Sequence, residues 1–195
     1  KLTDSAKSAL SVAGIDVAHY DSVAECLGDV ASLLFDPAKV AVGTLTHLPK
    51  TATLIKAVNP STVLKAIKSD NDINHIREAM RQDGVALCEF FAELEDKLAQ
   101  GERVSELDID EMLECARSRQ PNHVSASFDT IAGFRSNGAI VHYRATDERF
   151  AYLDGNGLLL IDSGAQYKNG TTDITRMAGI GQISDDEKRD VTYVL

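Results

Sequence analysis

The sequence predicts an α+β fold, and three observations carry that reading. Apolar residues recurring three and four apart from about Asn71 to Gln100 predict one long helix. From Ser125 onward the pattern changes to short apolar stretches broken by Gly, Asn and Asp, which predicts strands and turns. Before about Pro60, short helical and strand-like patches alternate in an α/β-type segment too small to make a comfortable domain alone.

The chain has 195 residues, enough for one domain with a substantial core or for one domain and part of another. Hydrophobic residues make up 44% and charged residues 26%, an ordinary globular composition. The formal net charge of -10 argues against nucleic acid or an anionic membrane as the main partner, because both attract basic surfaces. No apolar run approaches the ~20 residues that a membrane helix needs. The opening Lys1-Leu2-Thr3-Asp4 has no signal-peptide pattern. It also lacks Met, which points to a natural N-terminus further upstream. Cys26, Cys88 and Cys115 form no metal-binding spacing, and we read them as reduced, mostly buried thiols of a cytoplasmic protein.

Taken in order, residues 4 to 13 predict a helix capped by Asp4 or Ser5 and ended by Gly14. A second helix is expected from Ser22 to Leu34, with Val23, Leu27, Val30 and Leu34 on one stripe. Asp36-Pro37 predicts a turn, and Lys39 to Gly43 a short strand. Asn59-Pro60-Ser61 is the best candidate boundary. In the long central helix, Ile73, Ile76, Met80, Gly84, Leu87, Phe91, Leu94 and Leu98 form the apolar stripe, which we read as core. Ser69 or Asp70 can cap its start and Gly101 follows its end. Gly84 would let another backbone pack close to that stripe. A further helix is expected from Glu106 to Arg119, with a Ser105/Asp108 capping box and Ile109, Met112, Leu113 and Ala116 buried. His19, His47, His75 and His123 read as structural or surface residues.

Strands are expected at Phe128 to Ile131 and at Ala139 to Tyr143, joined by a loop from Gly133 to Gly138. The unbroken apolar run Leu158 to Ile161 predicts a strand covered on both faces. Asn169-Gly170 predicts a hairpin turn. Two acids, Asp162 and Asp173, stand in these otherwise buried-looking segments, where an ionised carboxylate is costly unless a cation pairs with it. Their index sum is odd, as is that of the Asn169-Gly170 turn, so both acids should share one face of the hairpin. A two-residue turn at Asn169-Gly170 would set Asp173 against Gln166 and leave Asp162 roughly 13 Å away. A wider loop centred on Tyr167-Lys168, or a bulge, would set the acids opposite each other, and a shared cation requires that second register. Facing carboxylates are relieved by a shared proton or a divalent cation. With the His142 imidazole as ligand or proton carrier, such oxygens suit Mn²⁺, Zn²⁺ or Co²⁺. The alternative is that the acids cap turns and His142 is a satisfied core residue.

Asn137-Gly138-Ala139-Ile140-Val141-His142-Tyr143, Leu160-Ile161-Asp162-Ser163-Gly164-Ala165-Gln166-Tyr167 and Gly170-Thr171-Thr172-Asp173-Ile174-Thr175-Arg176 together resemble Xaa-Pro aminopeptidase (aminopeptidase P). That family belongs to the pita-bread-fold metallopeptidases. The similarity extends back through Ser127 to Ile131 and Leu64 to Lys68, and so covers the chain in order from about residue 60. Gly-Thr-Thr-Asp, rather than Tyr-x-Ser-Asp, favours aminopeptidase P over the related prolidase. The sequence departs from the family pattern at Phe134-Arg135-Ser136 and at Met177, where Thr is expected.

The resemblance implies that residues 1–59 end a preceding α/β N-terminal domain. It implies that residues 60–195 form the N-terminal half of the pita-bread catalytic domain. It implies hydrolysis of the bond between an N-terminal residue and a following proline, with two divalent ions, Mn²⁺ first among them. Asp162 and Asp173 would be metal ligands and His142 a catalytic residue, with a further His and two Glu ligands supplied by a second half beyond Leu195. This piece alone would then be inactive. A cytoplasmic homodimer acting on peptides, without nucleic-acid or membrane partners, completes the expectation. The rivals are a prolidase-type Xaa-Pro dipeptidase and a non-catalytic binding module of the same fold.

Overall fold

The computed structural model describes residues 2–195 and divides into two units between Lys68 and Ser69. In the first unit α1 (Asp4–Val12) is capped by the Thr3 side chain, and Gly14 follows it at φ +70°. The helix expected from Ser22 to Leu34 is shorter. Only α2 (Val23–Leu27) forms, and β1 (Ser32–Phe35) is extended and pairs in parallel with β2 (Thr53–Lys56). Gly28 breaks the helical stripe, and strand pairing then claims Leu33 and Leu34. The strand expected at Lys39 to Gly43 is instead a turn running into the short helix α3 (Val42–Leu45). Asn59 caps α4 (Pro60–Ala66), with Pro60 in the first turn, where a missing N–H costs nothing.

The second unit opens with α5 (Asp70–Ala99), whose start is fixed by a reciprocal Ser69–Asp72 capping box. Then α6 (Glu106–Ser118) starts on the expected Ser105–Asp108 box. The buried face of α5 is rotated from the expected stripe. Ala79, Asp83, Ala86 and Phe90 are buried with Leu87 and Leu94, while Ile76 and Met80 are 39% and 41% exposed. Gly84 admits no close neighbour, since a Cβ there would meet nothing within 4 Å. Small residues at 79 and 86 let the sheet approach, and the large side chains at 76 and 80 are left at the rim.

Three antiparallel strands lie under these helices in the order β4 (Ile131–Phe134), β5 (Gly157–Ser163) and β8 (Ile174–Ile180). Phe90, Leu94, Ile109, Leu113, Leu159 and Ile161 meet in one core, so one sheet face is sealed by the helix pair. The other face of β5 carries Leu158, Leu160 and Asp162, each only half-buried. The expectation of two covered faces therefore fails: β5 alternates strictly, as a one-sided strand does.

A second small sheet joins β3 (His123–Ala126), β6 (Ala165–Tyr167) and β7 (Gly170–Thr171). The chain ends in α7 (Asp185–Val194). Residues Ala139 to Tyr143, expected to be a strand, form the end of a 3₁₀ turn and a bend. All three cysteines are exposed rather than buried; Cys115, for example, falls between the inward-facing Met112 and Ala116 of α6. Among the described residues, no helix is long and apolar enough to cross a membrane.

Candidate metal centre

The hairpin that carries both acids has one register throughout. Asp162 pairs with Thr175, Gln166 with Thr171 and Tyr167 with Gly170, so the chain turns at Lys168-Asn169. Neither expected register is the observed one, which falls between them. Gly170 already lies in a strand without positive φ. Its lack of a side chain serves packing: a Cβ there would lie 3.0 Å from the Ala79 Cβ of α5. Asn169 anchors the turn by donating from Nδ2 to the His75 carbonyl at 3.3 Å.

This register brings Asp173 across from Gly164 and leaves Asp162 across from Thr175. Continuing the register of the flanking ladders, the acids share a face but are diagonal rather than opposed, so the facing register expected for a shared cation is not the one that forms; diagonal neighbours in a sheet lie roughly 7–8 Å apart. Two charges at that distance repel by about 0.5–2 kcal/mol for effective dielectrics between roughly 80 and 20. They are not sequestered from water: Asp162 is half-buried and Asp173 exposed. The cost that motivated the metal reading is thus repulsion between two nearby anions more than desolvation.

Donor chemistry fits a divalent cation in part. The Thr175 hydroxyl donates to Asp162 Oδ1 at 2.9 Å, leaving Oδ2 open. Among the described residues, no hydrogen-bond donor reaches the Asp173 carboxylate. Among the described residues, no cluster of three or more acidic, His or Cys side chains could hold a metal.

His142 stands apart from the ladder. It is exposed, in a turn, at φ +55°. No hydrogen bond or ion pair joins it to either acid. The segment leading to it crosses the acid-bearing face, however. A Cβ at Gly138 would lie 3.3 Å from the Leu160 Cβ, and Leu160 shares a face with Asp162. Gly133 and Gly138 allow this crossing; a Cβ on Gly133 would sit 2.7 Å from Gly138.

Two buried carboxylates that the sequence reading did not single out hold this framework. Glu106, 1% exposed, accepts from the Phe134 and Ala151 amides, from Asn137 Nδ2 and from the Tyr143 hydroxyl, at 2.7 to 3.2 Å. It thereby ties down the loop on either side of His142. Burial, and then the facing Glu106 carboxylate, push the Tyr143 phenol up to about 12.

Asp83 is fully buried and takes a two-pronged ion pair from Arg117, Nε to Oδ1 at 2.8 Å and Nη2 to Oδ2 at 3.1 Å. Tyr167 Oη and Thr172 Oγ1 donate to the same carboxylate at 3.0 and 2.7 Å. Burial, followed by the Asp83 charge, raises the Tyr167 phenol well above its ordinary value. One signal for Asp83 was present in the sequence: an acid at the centre of the small-residue stripe Ala79, Ala86.

Residues 74–195 match metallopeptidase family M24. The chain is 39% identical over 151 residues to the Xaa-Pro aminopeptidase ApepP of Drosophila melanogaster, a match covering 77% of this chain and 25% of that protein. It is 36% identical over 202 residues to Xaa-Pro aminopeptidase 1 of Dictyostelium discoideum, covering all of this chain and 32% of the relative. In structure it is similar to X-prolyl aminopeptidase from Caenorhabditis elegans, a cytosolic enzyme with a di-nuclear active site. There the TM-score is 0.80 at 25% identity, over 95% of this chain and 32% of that one. The fold is accordingly part of the pita-bread architecture. The chain spans a quarter to a third of the length of these relatives.

Proposed function

The chain belongs to metallopeptidase family M24, and from that premise we propose that it forms part of the active site of a metal-dependent Xaa-Pro aminopeptidase. The observation that carries the reading is the placement of Asp162 and Asp173 on one hairpin face, diagonal to each other, with carboxylate oxygens left open. The names of the relatives support the substrate class, a peptide with proline second. On this reading residues 1–59 end a preceding domain and residues 60–195 begin the catalytic one.

Asp162 would hold one cation, and Asp173 would bridge two. Oxygen donors with a nearby imidazole favour Mn²⁺, with Zn²⁺ or Co²⁺ as substitutes. Two such ions would supply the Lewis acidity that makes water a nucleophile near neutral pH. Thr175 fixes one oxygen of Asp162 and so orients the other. His142, exposed on its turn at φ +55°, would donate a hydrogen bond to the oxyanion that develops on the scissile carbonyl. The reading extends, by resemblance, to a cytosolic homodimer.

The test is Asp173→Ala in the complete polypeptide that contains these residues. Xaa-Pro-Yaa hydrolysis that depends on added divalent cation should be lost. Wild-type turnover at unchanged metal content would refute the assignment. A panel of Xaa-Pro dipeptides against longer Xaa-Pro-Yaa peptides separates this activity from a prolidase, which would cleave only the dipeptides.

A further inference from the structure

Between the two acids the hairpin changes from one sheet to the other, and a buried ion pair grips it at that point. Ser163, next to Asp162, receives a hydrogen bond on Oγ from Arg117 Nη2 at 3.1 Å. Arg117 Nη1 also donates to the Gly164 carbonyl at 3.4 Å. Thr172, next to Asp173, donates to Asp83 Oδ2 at 2.7 Å and accepts from the Ala165 amide at 2.9 Å. Both strands of the hairpin are therefore fastened to one ion pair, each at the residue beside an acid.

Alternation makes this grip one-sided. Ser163 and Thr172 are 0% and 1% exposed, whereas Asp162 and Asp173 turn outward. The backbones also come unusually close, because a Cβ at Gly164 would lie 2.0 Å from the Thr172 carbonyl oxygen. A buried ion pair is a poor source of net stability compared with apolar side chains of equal volume. What a guanidinium fork adds is fixed geometry, since its donors cannot be rearranged independently.

We propose that Asp83 and Arg117 are positioning residues that set the separation of the two metal-binding carboxylates, acting through Ser163 and Thr172. This rests on Asp162 and Asp173 being ligands, as argued above. The clamp touches neither metal nor substrate. Its expected signature is a change in metal affinity among variants that remain folded.

The experiment is calorimetric titration of the metal-free complete polypeptide with Mn²⁺ alone, well below the melting temperature of each variant. Thr172→Val keeps the shape but loses the hydroxyl, and Ser163→Ala removes the Arg117 acceptor. Each should weaken Mn²⁺ binding by roughly 10–100-fold, the usual effect of losing a group that orients a ligand. Thr172→Ser, which restores the hydroxyl, should recover most of it. Wild-type Mn²⁺ affinity and stoichiometry in folded Thr172→Val and Ser163→Ala would overturn the clamp. Should Thr172→Val fail to fold, Ser163→Ala carries the same decision. Asp162→Ala and Asp173→Ala run alongside. If they too bind Mn²⁺ normally, the ligand assignment falls and the clamp's role falls with it. If only they lose binding, the clamp alone is wrong.

Discussion

Asp162 and Thr175 face each other across the β5–β8 ladder, and the Thr175 hydroxyl donates to Asp162 Oδ1 at 2.9 Å. One carboxylate oxygen is thus committed to the protein and the other is presented outward. Thr175→Val removes that donor while keeping a β-branched side chain. Because Thr175 is exposed, stability should change by no more than about 0.5 kcal/mol. Mn²⁺ affinity of the complete polypeptide should fall roughly tenfold or more, and Thr175→Ser should retain it. Calorimetry reads both; unchanged affinity in Thr175→Val would mean that the hydroxyl does not orient the ligand.

Glu106 is the counterpart on the other side of the sheet. Its two oxygens each accept from a backbone amide, Oε1 from Phe134 and Oε2 from Ala151. Glu106→Gln nearly preserves volume but turns one acceptor into an NH₂ donor. Whichever way the amide sits, one backbone N–H then confronts another donor. The expected cost is about 1–3 kcal/mol, seen as a lower urea midpoint at unchanged slope. A midpoint equal to that of the wild type would remove Glu106 from its role as the anchor of this loop.

Gly84 offers a test in the opposite direction. It lies inside α5, and a Cβ would meet nothing within 4 Å. Gly84→Ala should raise stability by about 1 kcal/mol through helix propensity alone. Denaturant unfolding decides it, and a loss of stability would reveal crowding at that position.

Alkaline pH supplies a fourth test. Burial and the facing carboxylates raise both buried phenols, Tyr143 to about 12 and Tyr167 also upward. The folded chain holds these protons more tightly than the unfolded chain, whose tyrosines ionise near about 10. Stability should therefore be intact below about pH 10 and decline as pH rises toward 12. Comparing urea midpoints on either side of that window checks the sign. The fall should be shallower in Tyr143→Phe, where one of the two phenols is gone; an equal slope would assign the decline to other groups.

How far the sequence revealed this fold can be judged from particular residues. The ends of α5 and α6 were legible because Ser69, Ser105 and Gly101 act locally, through capping and positive φ. Which face of α5 is buried was not, because Ala79 and Ala86 attract little notice beside Ile76 and Met80. The close approach of Gly170 in β7 explains why a small residue faces inward at 79. The hairpin was evident from Asn169-Gly170, yet its register was missed because Gly170 answers to helix packing and not to the turn. The shared face of Asp162 and Asp173 survived that error, since it depends only on parity. Asp83, Arg117 and Glu106 do not stand out in the sequence. Their partners lie far along the chain, and apart from the small residues Ala79 and Ala86 that flank Asp83, nothing near them in sequence hints at burial.

That distance bears on how the molecule assembles. Asp83 and Arg117 are 34 residues apart, on consecutive helices, while Asp83 and Thr172 are 89 apart. Closing the longer loop costs more entropy and should come later during folding. The two helices would then dock first and present a carboxylate with unclaimed acceptor positions, which the last strands fill on arrival. In pulse-labelled hydrogen exchange, the Ala165 amide should gain protection after the amides of α5 and α6, and simultaneous protection would rule out that order. The charge pair would thus act as a template: the hairpin can join the folding chain only in the one alignment that satisfies it.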